Sequence, residues 1–451
     1  MARIAVFGLW HLGCVVAGSL AQIGHSVCGT DFDAAVIARL AAGEPPLFEP
    51  GLQELLRHEL GTGRLAFTAD VARALDTIDA AFITFDTPVD NADGSDLRPI
   101  ERAAQAIAAQ ARAPLTVVLM SQVPVGTTRR LAAEMLARAP VRELTLLCQP
   151  ENLRLGQALE TFARPDRIVV GAESRAAAEQ LEPLYRGIPG ERLVMSWESA
   201  ELAKHATNAF LATSVSFANE LAALAEVAGA DIRDVVGALR TDRRIGPQAF
   251  LSPGPGFAGG TLGRDVQALR RLGERNGRPT RVLDAVIAVN QTQLSALVEK
   301  LRRLLDGELS GRRIALLGLV YKPGTSTLRR SHALELARRL ADAGATLQAY
   351  DPRVTDSARP ELAGSRIALC ADPYQAAAGA DAVLLATPWP EFRALDWVQM
   401  RQVMRGTAVV DAHNLLDRAE LGRAGLVCAG VGVPESGSRQ PKVDSMAGVE
   451  R

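Results

Sequence analysis

Cysteine is scarce in this chain. Five are scattered over 451 residues, Cys14, Cys28, Cys148, Cys370 and Cys428, and no two form a CxxC pair. That spacing excludes a zinc ribbon and a disulfide framework, and it fits a reducing compartment. Each lies in an apolar run and reads as a small buried hydrophobe. Net charge is also nearly absent, at −1, which excludes a dedicated nucleic-acid binder or a polybasic membrane binder. No run of about 18 apolar residues occurs, so no membrane span is expected. The first residues, "MARIAVFGLW", enter a strand-like run without a basic, apolar leader, which points to the cytoplasm. One further absence is local. The stretch "FLSPGPGFAGGTLGRDVQAL" (250–269) is dense in glycine yet holds no cysteine, histidine or glutamate.

What is present is a soluble-type composition, 48% hydrophobic and 22% charged, long enough for two or three domains. Short apolar runs alternate with alanine-rich helical stretches. "RIAVFG" (3–8), "SVCGTD" (26–31), "AAFITF" (80–85), "LTVVLM" (115–120), "LTLLCQ" (144–149) and "RIVVG" (167–171) read as strands. The alternation then stops. One long helix is expected over 199–229, with Ser199 as its cap, followed by more helix from about 265 to 305. Alternation resumes at "RRIALLG" (312–318), "TLQAYD" (346–351), "AVLLATP" (382–388) and "TAVVDA" (407–412). The fold class is therefore α/β: two Rossmann-like parallel-sheet domains joined by a long central helix and a helical middle. The expected divisions are 1–198, 199–305 and 306–433, with a polar tail at 434–451 that reads as disordered.

"GLWHLG" follows the first strand and opens a helix, the setting of a dinucleotide-binding fingerprint. Gly8 would make the tight turn and Gly13 would let the helix approach the sheet. Trp10 stands where the middle glycine is usual. Asp31, at the end of the second strand, suits a ribose 2′-hydroxyl and favours NAD over NADP. Lys204 and Asn208 are four apart on the long helix, so they share a face, where an ammonium and a carboxamide can steady a developing oxyanion. Ala203, Ala206, Ala209 and Phe210 around the lysine favour its partial burial. Glu151 lies just past a strand end, where α/β sites gather.

More segments recur in a fixed order: "VPVGTT" (123–128), "PENLRLG" (150–156), "PDRIVVG" (165–171), "AELAKHATNAFLATSVSFANE" (200–220), "RRIGPQAFLSPGPGFAGG" (243–260) before Asp265, "LLGLVYKPGTSTLRRS" (316–331), "TPWPEFRALD" (387–396) and "VVDAHNLLD" (409–417). Together they resemble the UDP-glucose/GDP-mannose dehydrogenase family over roughly residues 1–430. The resemblance implies oxidation of the C6 alcohol of a nucleotide-diphosphate sugar to a carboxylate with two NAD⁺, by a homodimer built on the long helix. It implies Glu151, Lys204, Asn208 and Asp265 as catalytic, with Gln122 at the place of a water-holding threonine. It implies cofactor contacts from Gly8, Trp10, His11, Leu12, Gly13, Asp31, Thr87, Pro88, Arg264 and Arg329. It implies substrate contacts from Phe257, Gly259, Gly260, Lys322 and His413, and from Arg244 toward a neighbouring subunit. His11 also suits a bare first-turn position, and Asp265 a bare helix-starting acid.

The chain departs from that family at telling places. The nucleophilic cysteine becomes Thr261, the residue after Glu151 is Asn152, and an arginine of the last domain becomes His413. A threonine hydroxyl is far less acidic than a thiol and is restricted by its β-branch. Three outcomes follow: a four-electron enzyme in which water adds to the aldehyde, a two-electron enzyme that stops at aldehyde or ketone, or a binding protein without turnover. Other readings are a β-hydroxyacid dehydrogenase, which would lack a second parallel sheet after residue 310, and a regulatory subunit of a polysaccharide-assembly complex.

Overall fold

A computed structural model describes residues 1–87, 95–111, 114–140, 143–257, 262–354, 362 and 366–434. Pro88, Gly259, Gly260, Thr261 and residues 435–451 of the expected tail fall outside them. The chain divides into two compact units, residues 1–208 with 267–278, and residues 209–266 with 279–451.

The first unit is built on eight strands: β1 Arg3–Phe7, β2 Ser26–Thr30, β3 Leu65–Thr68, β4 Ala80–Ile83, β5 Leu115–Leu119, β6 Leu144–Cys148, β7 Arg167–Gly171 and β8 Glu191–Met195. Their order is β3-β2-β1-β4-β5-β6-β7-β8. Every pairing is parallel except β6 with β7, which meet antiparallel at Cys148 and Gly171. The first six strands form a doubly wound sheet whose order reverses between β1 and β4, the place where such sheets open a ligand crevice. Both faces are covered. Val6, Phe82, Leu147 and Val15 pack on one side, and Phe7, Ile83, Leu119 and Ile107 on the other. β3 and β8 were not legible as strands. The one is only four residues long and the other lies at the sheet edge with little burial.

The second unit has six strands: β9 Arg313–Leu317, β10 Thr346–Tyr350, β11 Ile367–Leu369, β12 Ala382–Leu385, β13 Ala408–Asp411 and β14 Val427–Ala429. The order β11-β10-β9-β12-β13-β14 is parallel throughout. A second parallel sheet after residue 310 therefore exists, which counts against the β-hydroxyacid dehydrogenase reading. β11 and β14 are three residues each, too short to give an alternating signal. The two sheets repeat one device. Gly8 and Gly318 both take positive φ, +91° and +92°, just after the first strand of each sheet. Asp31 Oδ2 accepts the Leu9 N–H at 2.7 Å, and Asp351 Oδ2 accepts the Leu319 N–H at 2.6 Å.

The long helix runs Trp197–Ala228, and the division between units passes through it after Asn208. Ser199 is not its cap but lies inside it. The Ser196 hydroxyl accepts the Ser199 N–H at 3.2 Å, three residues on, so Ser196 does the capping. By length and composition alone this helix is long and apolar enough to cross a membrane, although Glu201, Lys204, Asn208 and Glu220 interrupt its apolar sequence. The helical middle is also broken more finely than expected, into Ile232–Thr241, Leu262–Arg275 and Arg281–Leu304.

Candidate active site

Just past the C-terminal end of β1, geometry explains the glycines of "GLWHLG". A Cβ on Gly13 would lie 1.8 Å from the Gly8 carbonyl oxygen, and one on Gly8 would lie 2.7 Å from the Phe85 backbone. Any side chain at 13 would push the helix His11–Gln22 off the strand. That helix has no acidic residue in its first turn, so its positive N-terminal end is left for an anion. Trp10 stands at its N-cap with an exposed ring, and Leu12 is buried behind it. Asp31 is partly exposed beside the turn. Next to it Phe32 stacks on Phe85 with ring centroids 5.6 Å apart, and the Arg102 guanidinium lies 3.8 Å above Phe32. None of these three was singled out in the sequence. The residues fit a dinucleotide: a glycine that alone permits the close turn, a helix end without an acid, and a carboxylate at the ribose position.

His11 is not a bare first-turn residue. Its Nε2–H donates to Glu49 at 2.7 Å. Glu49 is buried and also accepts the N–H groups of Gly156 and Ala158, both at 2.8 Å. Burial alone would raise the Glu49 pKa, but the His11 and backbone donors outweigh it and hold the carboxyl below its ordinary value. Glu49 thus ties "EPPLFEPGL" to the cofactor helix and to the loop after Glu151. The sequence offered no signal for it beyond an acid between prolines.

The chemistry-bearing cluster of this unit forms where β6 ends and the long helix begins. Lys204 Nζ lies 3.2 Å from Glu151 Oε1, and Glu151 Oε2 accepts the Leu153 N–H at 2.7 Å. Lys204 is 9% exposed and Asn208 6%, so neither is a solvated helix residue. The packing expected from Phe210 is absent, because that ring is 71% exposed. The inward stripe is instead Glu201, Lys204, His205 and Asn208, all buried. His205 Nε2–H donates to the Val123 carbonyl at 2.9 Å. Glu201 accepts the Gly126 and Thr128 N–H groups and the Thr128 hydroxyl, which seats the helix Thr127–Arg138 against the long helix. Gln122 is buried, and its carbonyl accepts the Thr87 hydroxyl at 2.9 Å. The structure thus joins Thr87 to Gln122 and Glu151 to Lys204 in this unit, with Asn208 buried one turn beyond Lys204.

In the second unit, two carboxamides shape the glycine-rich stretch. Asn290 accepts the Phe257 N–H at 2.8 Å and donates to the Phe257 carbonyl at 3.1 Å, while Asn219 accepts the Gly254 N–H at 2.8 Å. Both lie on helices outside the motif, so local sequence gave no hint of them. Asp265 is wholly buried in the first turn of its helix, unlike an acid that only serves a helix end, and lies 4.0 Å from the Arg264 Nε. At the β9–β12 reversal of this sheet, Lys322 is half-buried on the loop after β9 and Arg329 is exposed. Arg244 is exposed and pairs with Asp242 at 2.6 Å. His413 donates from Nε2 to the Ala386 carbonyl at 3.1 Å, and a Cβ on Gly254 would lie 3.6 Å from its Nδ1. Burial drives the His413 pKa down to about 4. His332, which meets the Phe257 backbone, falls to about 4 through burial and the nearby His413. His413 is therefore neutral at pH 7 and packs against Gly254 of the glycine-rich stretch.

Three domain models of the UDP-glucose/GDP-mannose dehydrogenase family match in order: the NAD binding domain over residues 2–189, the central domain over 198–292 and the UDP binding domain over 315–418. The chain is 39% identical over 446 residues to a UDP-glucose 6-dehydrogenase of Pseudomonas aeruginosa, covering 96% of this chain and 98% of the relative. A UDP-glucose 6-dehydrogenase of Rhizobium meliloti is 36% identical, with 96% and 100% covered. Among solved structures, a UDP-glucose dehydrogenase of Pyrobaculum islandicum superposes with TM-score 0.88 at 37% identity, covering 96% of this chain and 98% of that one.

Proposed function

This chain belongs to the UDP-glucose/GDP-mannose dehydrogenase family, and from that premise we propose that it oxidises the C6 hydroxyl of a UDP- or GDP-hexose, with UDP-glucose the first substrate to test. The observation that carries the reading is the pair of buried Lys204 with half-buried Glu151 at 3.2 Å, with Asn208 one turn along the same helix, at the ligand end of a dinucleotide-type sheet. NAD⁺, when bound, takes up the hydrogen and electron pair that leave C6. Gly8, Trp10, His11, Leu12, Gly13, Asp31, Thr87, Pro88, Arg264 and Arg329 are the residues proposed to hold it. Their task is positioning, which supplies a large part of the rate of such a transfer. Lys204 and Asn208 steady the oxygen on C6 as its proton leaves, and Asp265 is the proposed proton acceptor. Lys322, Phe257, Gly259, Gly260 and His413 are the proposed substrate contacts.

The same reading includes a homodimer through the long helix. Phe210, Phe217 and Leu224 follow one another at seven-residue intervals and are 71%, 51% and 60% exposed, with Val227 at 89%. A stripe of large apolar side chains at that spacing suits a second copy of the same helix. Arg244 would then face the neighbour's substrate. A cytoplasmic location, where nucleotide sugars and NAD⁺ are both at hand, belongs to the same proposal.

The test is purified protein with NAD⁺ and UDP-glucose, followed at 340 nm. NADH formation that depends on the sugar nucleotide is expected, and Lys204→Ala should lower kcat by about 10²- to 10³-fold. Ligand-induced thermal stabilisation with no NADH from any nucleotide sugar would instead favour the regulatory-subunit reading.

A further inference from the structure

Oxidation from alcohol to acid passes through an aldehyde, and an aldehyde has no hydrogen to give up with its electron pair until something adds to its carbonyl carbon. A thiolate or a water can do so. The thiols of this chain can each be located. No cysteine lies between Cys148 and Cys370, so the Lys204 helix, the glycine-rich stretch and Asp265 carry none. Cys14 is buried in the cofactor helix with its Sγ on the Leu9 carbonyl, and burial, then the Asp31 charge, pushes its pKa far up. Cys148, the thiol nearest Glu151 in sequence, packs in the apolar core beside Leu119 and Val169, bonded to Thr128, and burial lifts it to about 12. Cys428 is buried in β14 and is likewise raised to about 12. Cys28 lies within β2 and Cys370 just past β11, both raised by burial. Among these thiols none combines a thiolate with a place at the Lys204–Glu151 cluster.

We infer that the second oxidation in this chain is thiol-free: water, with Glu151 as its base, adds to the C6 aldehyde, and the resulting hydrate is the species oxidised. This deepens, and rests on, the reading under Proposed function. Glu151 suits the role because one oxygen is tied to the Leu153 N–H while the other faces Lys204, and because its side chain is 20% exposed and so open to water, unlike the Lys204 side chain at 8%. The step balances as follows. The water oxygen bonds to C6 and the C=O π bond breaks. One water proton goes to Glu151, and the former carbonyl oxygen, steadied by the Lys204 ammonium, takes up a proton. The hydrate then loses the C6 hydrogen with its electron pair to a second NAD⁺ and one hydroxyl proton to Glu151 or solvent. The products are a carboxylic acid and NADH, and no bond to the protein forms at any point.

The experiment follows single turnover of the full-length protein with excess NAD⁺ and limiting UDP-glucose, quenched in acid at intervals. Intact mass, NADH and the sugar product are read from each sample. The expected result is two NADH per sugar, a carboxylate product and a protein mass equal to that of free enzyme at every time. Prior treatment with N-ethylmaleimide should leave the NADH count at two. Glu151→Gln, whose amide oxygen can still accept the Leu153 N–H, breaks the ion pair with Lys204 and should slow both steps, but aldehyde consumption by about 10²-fold or more beyond aldehyde formation. The stoichiometry should then fall from two toward one, and Glu151→Asp should restore part of it. An acyl mass on the protein, or loss of the second NADH after alkylation, overturns the inference. So does one NADH per sugar with an aldehyde product, or equal slowing of both steps in Glu151→Gln, though each leaves the dehydrogenase reading intact. No NADH from any nucleotide sugar overturns that reading, and this inference with it.

Discussion

A Cβ at Gly13 would sit 1.8 Å from the Gly8 carbonyl oxygen, a distance that no local adjustment of a side chain relieves because both atoms are backbone-bound. Gly13→Ala should therefore abolish the rise in melting temperature that NAD⁺ produces, as read by differential scanning fluorimetry. An unchanged rise would mean that the nucleotide binds elsewhere. Glu49 serves the same region by charge. Breaking its buried pair with His11 by Glu49→Ala should cost about 3–5 kcal/mol in denaturant unfolding. The Glu49 carboxyl is held below its ordinary value, so its contribution is present above the usual carboxylate range and fades as pH falls through the depressed pKa. His413 and His332 impose a second acid limit. Both titrate near 4 in the folded protein against an ordinary 6.5, so the unfolded chain binds more protons between those values. Stability should fall as pH drops from about 6.5 to 4, and His413→Asn should flatten that slope. An identical slope in the variant would show that His413 is not among the groups responsible.

At the scale of elements, the glycine-rich stretch takes its shape from helices distant in sequence. Asn290 holds Phe257 at both its N–H and its carbonyl. Asn290→Ala removes both bonds and should destabilise by about 1–3 kcal/mol. Because Phe257 is a proposed substrate contact, KM for the sugar nucleotide should rise more than kcat falls. A fall in kcat alone would place the loop's role elsewhere. The long helix presents a comparable test. Phe217→Glu puts a charge in the middle of the stripe Phe210–Phe217–Leu224 and should convert a dimer to monomer in light scattering after size exclusion. A dimer that survives the change would refute assembly through that face.

For the whole molecule, the apolar contacts fall into three clusters, two on the faces of the first sheet and one around the second, each within its own unit. Unfolding in the calorimeter should depart from a single two-state transition. NAD⁺ at a hundredfold excess over its Kd should stabilise the component containing residues 1–87 by about 2.7 kcal/mol. Much of this organisation was legible in the residues alone. Apolar runs such as "RIAVFG" and "AVLLATP" announce buried parallel strands because both faces must be apolar, and Gly8, Gly13 and Asp31 announce a dinucleotide turn because few residues fit there. The i, i+4 spacing of Lys204 and Asn208 likewise sets them on one helix face from sequence alone. What only tertiary structure decided was which long-range partners complete these features. It supplied Glu49 under His11, Glu151 opposite Lys204, Asn290 behind Phe257 and a neutral His413 beneath Gly254. Hydrogen bonding and burial depend on distance in space, and partners from 33 (Phe257 and Asn290) to 159 (Gly254 and His413) positions apart leave no shared period in the sequence by which to find one another.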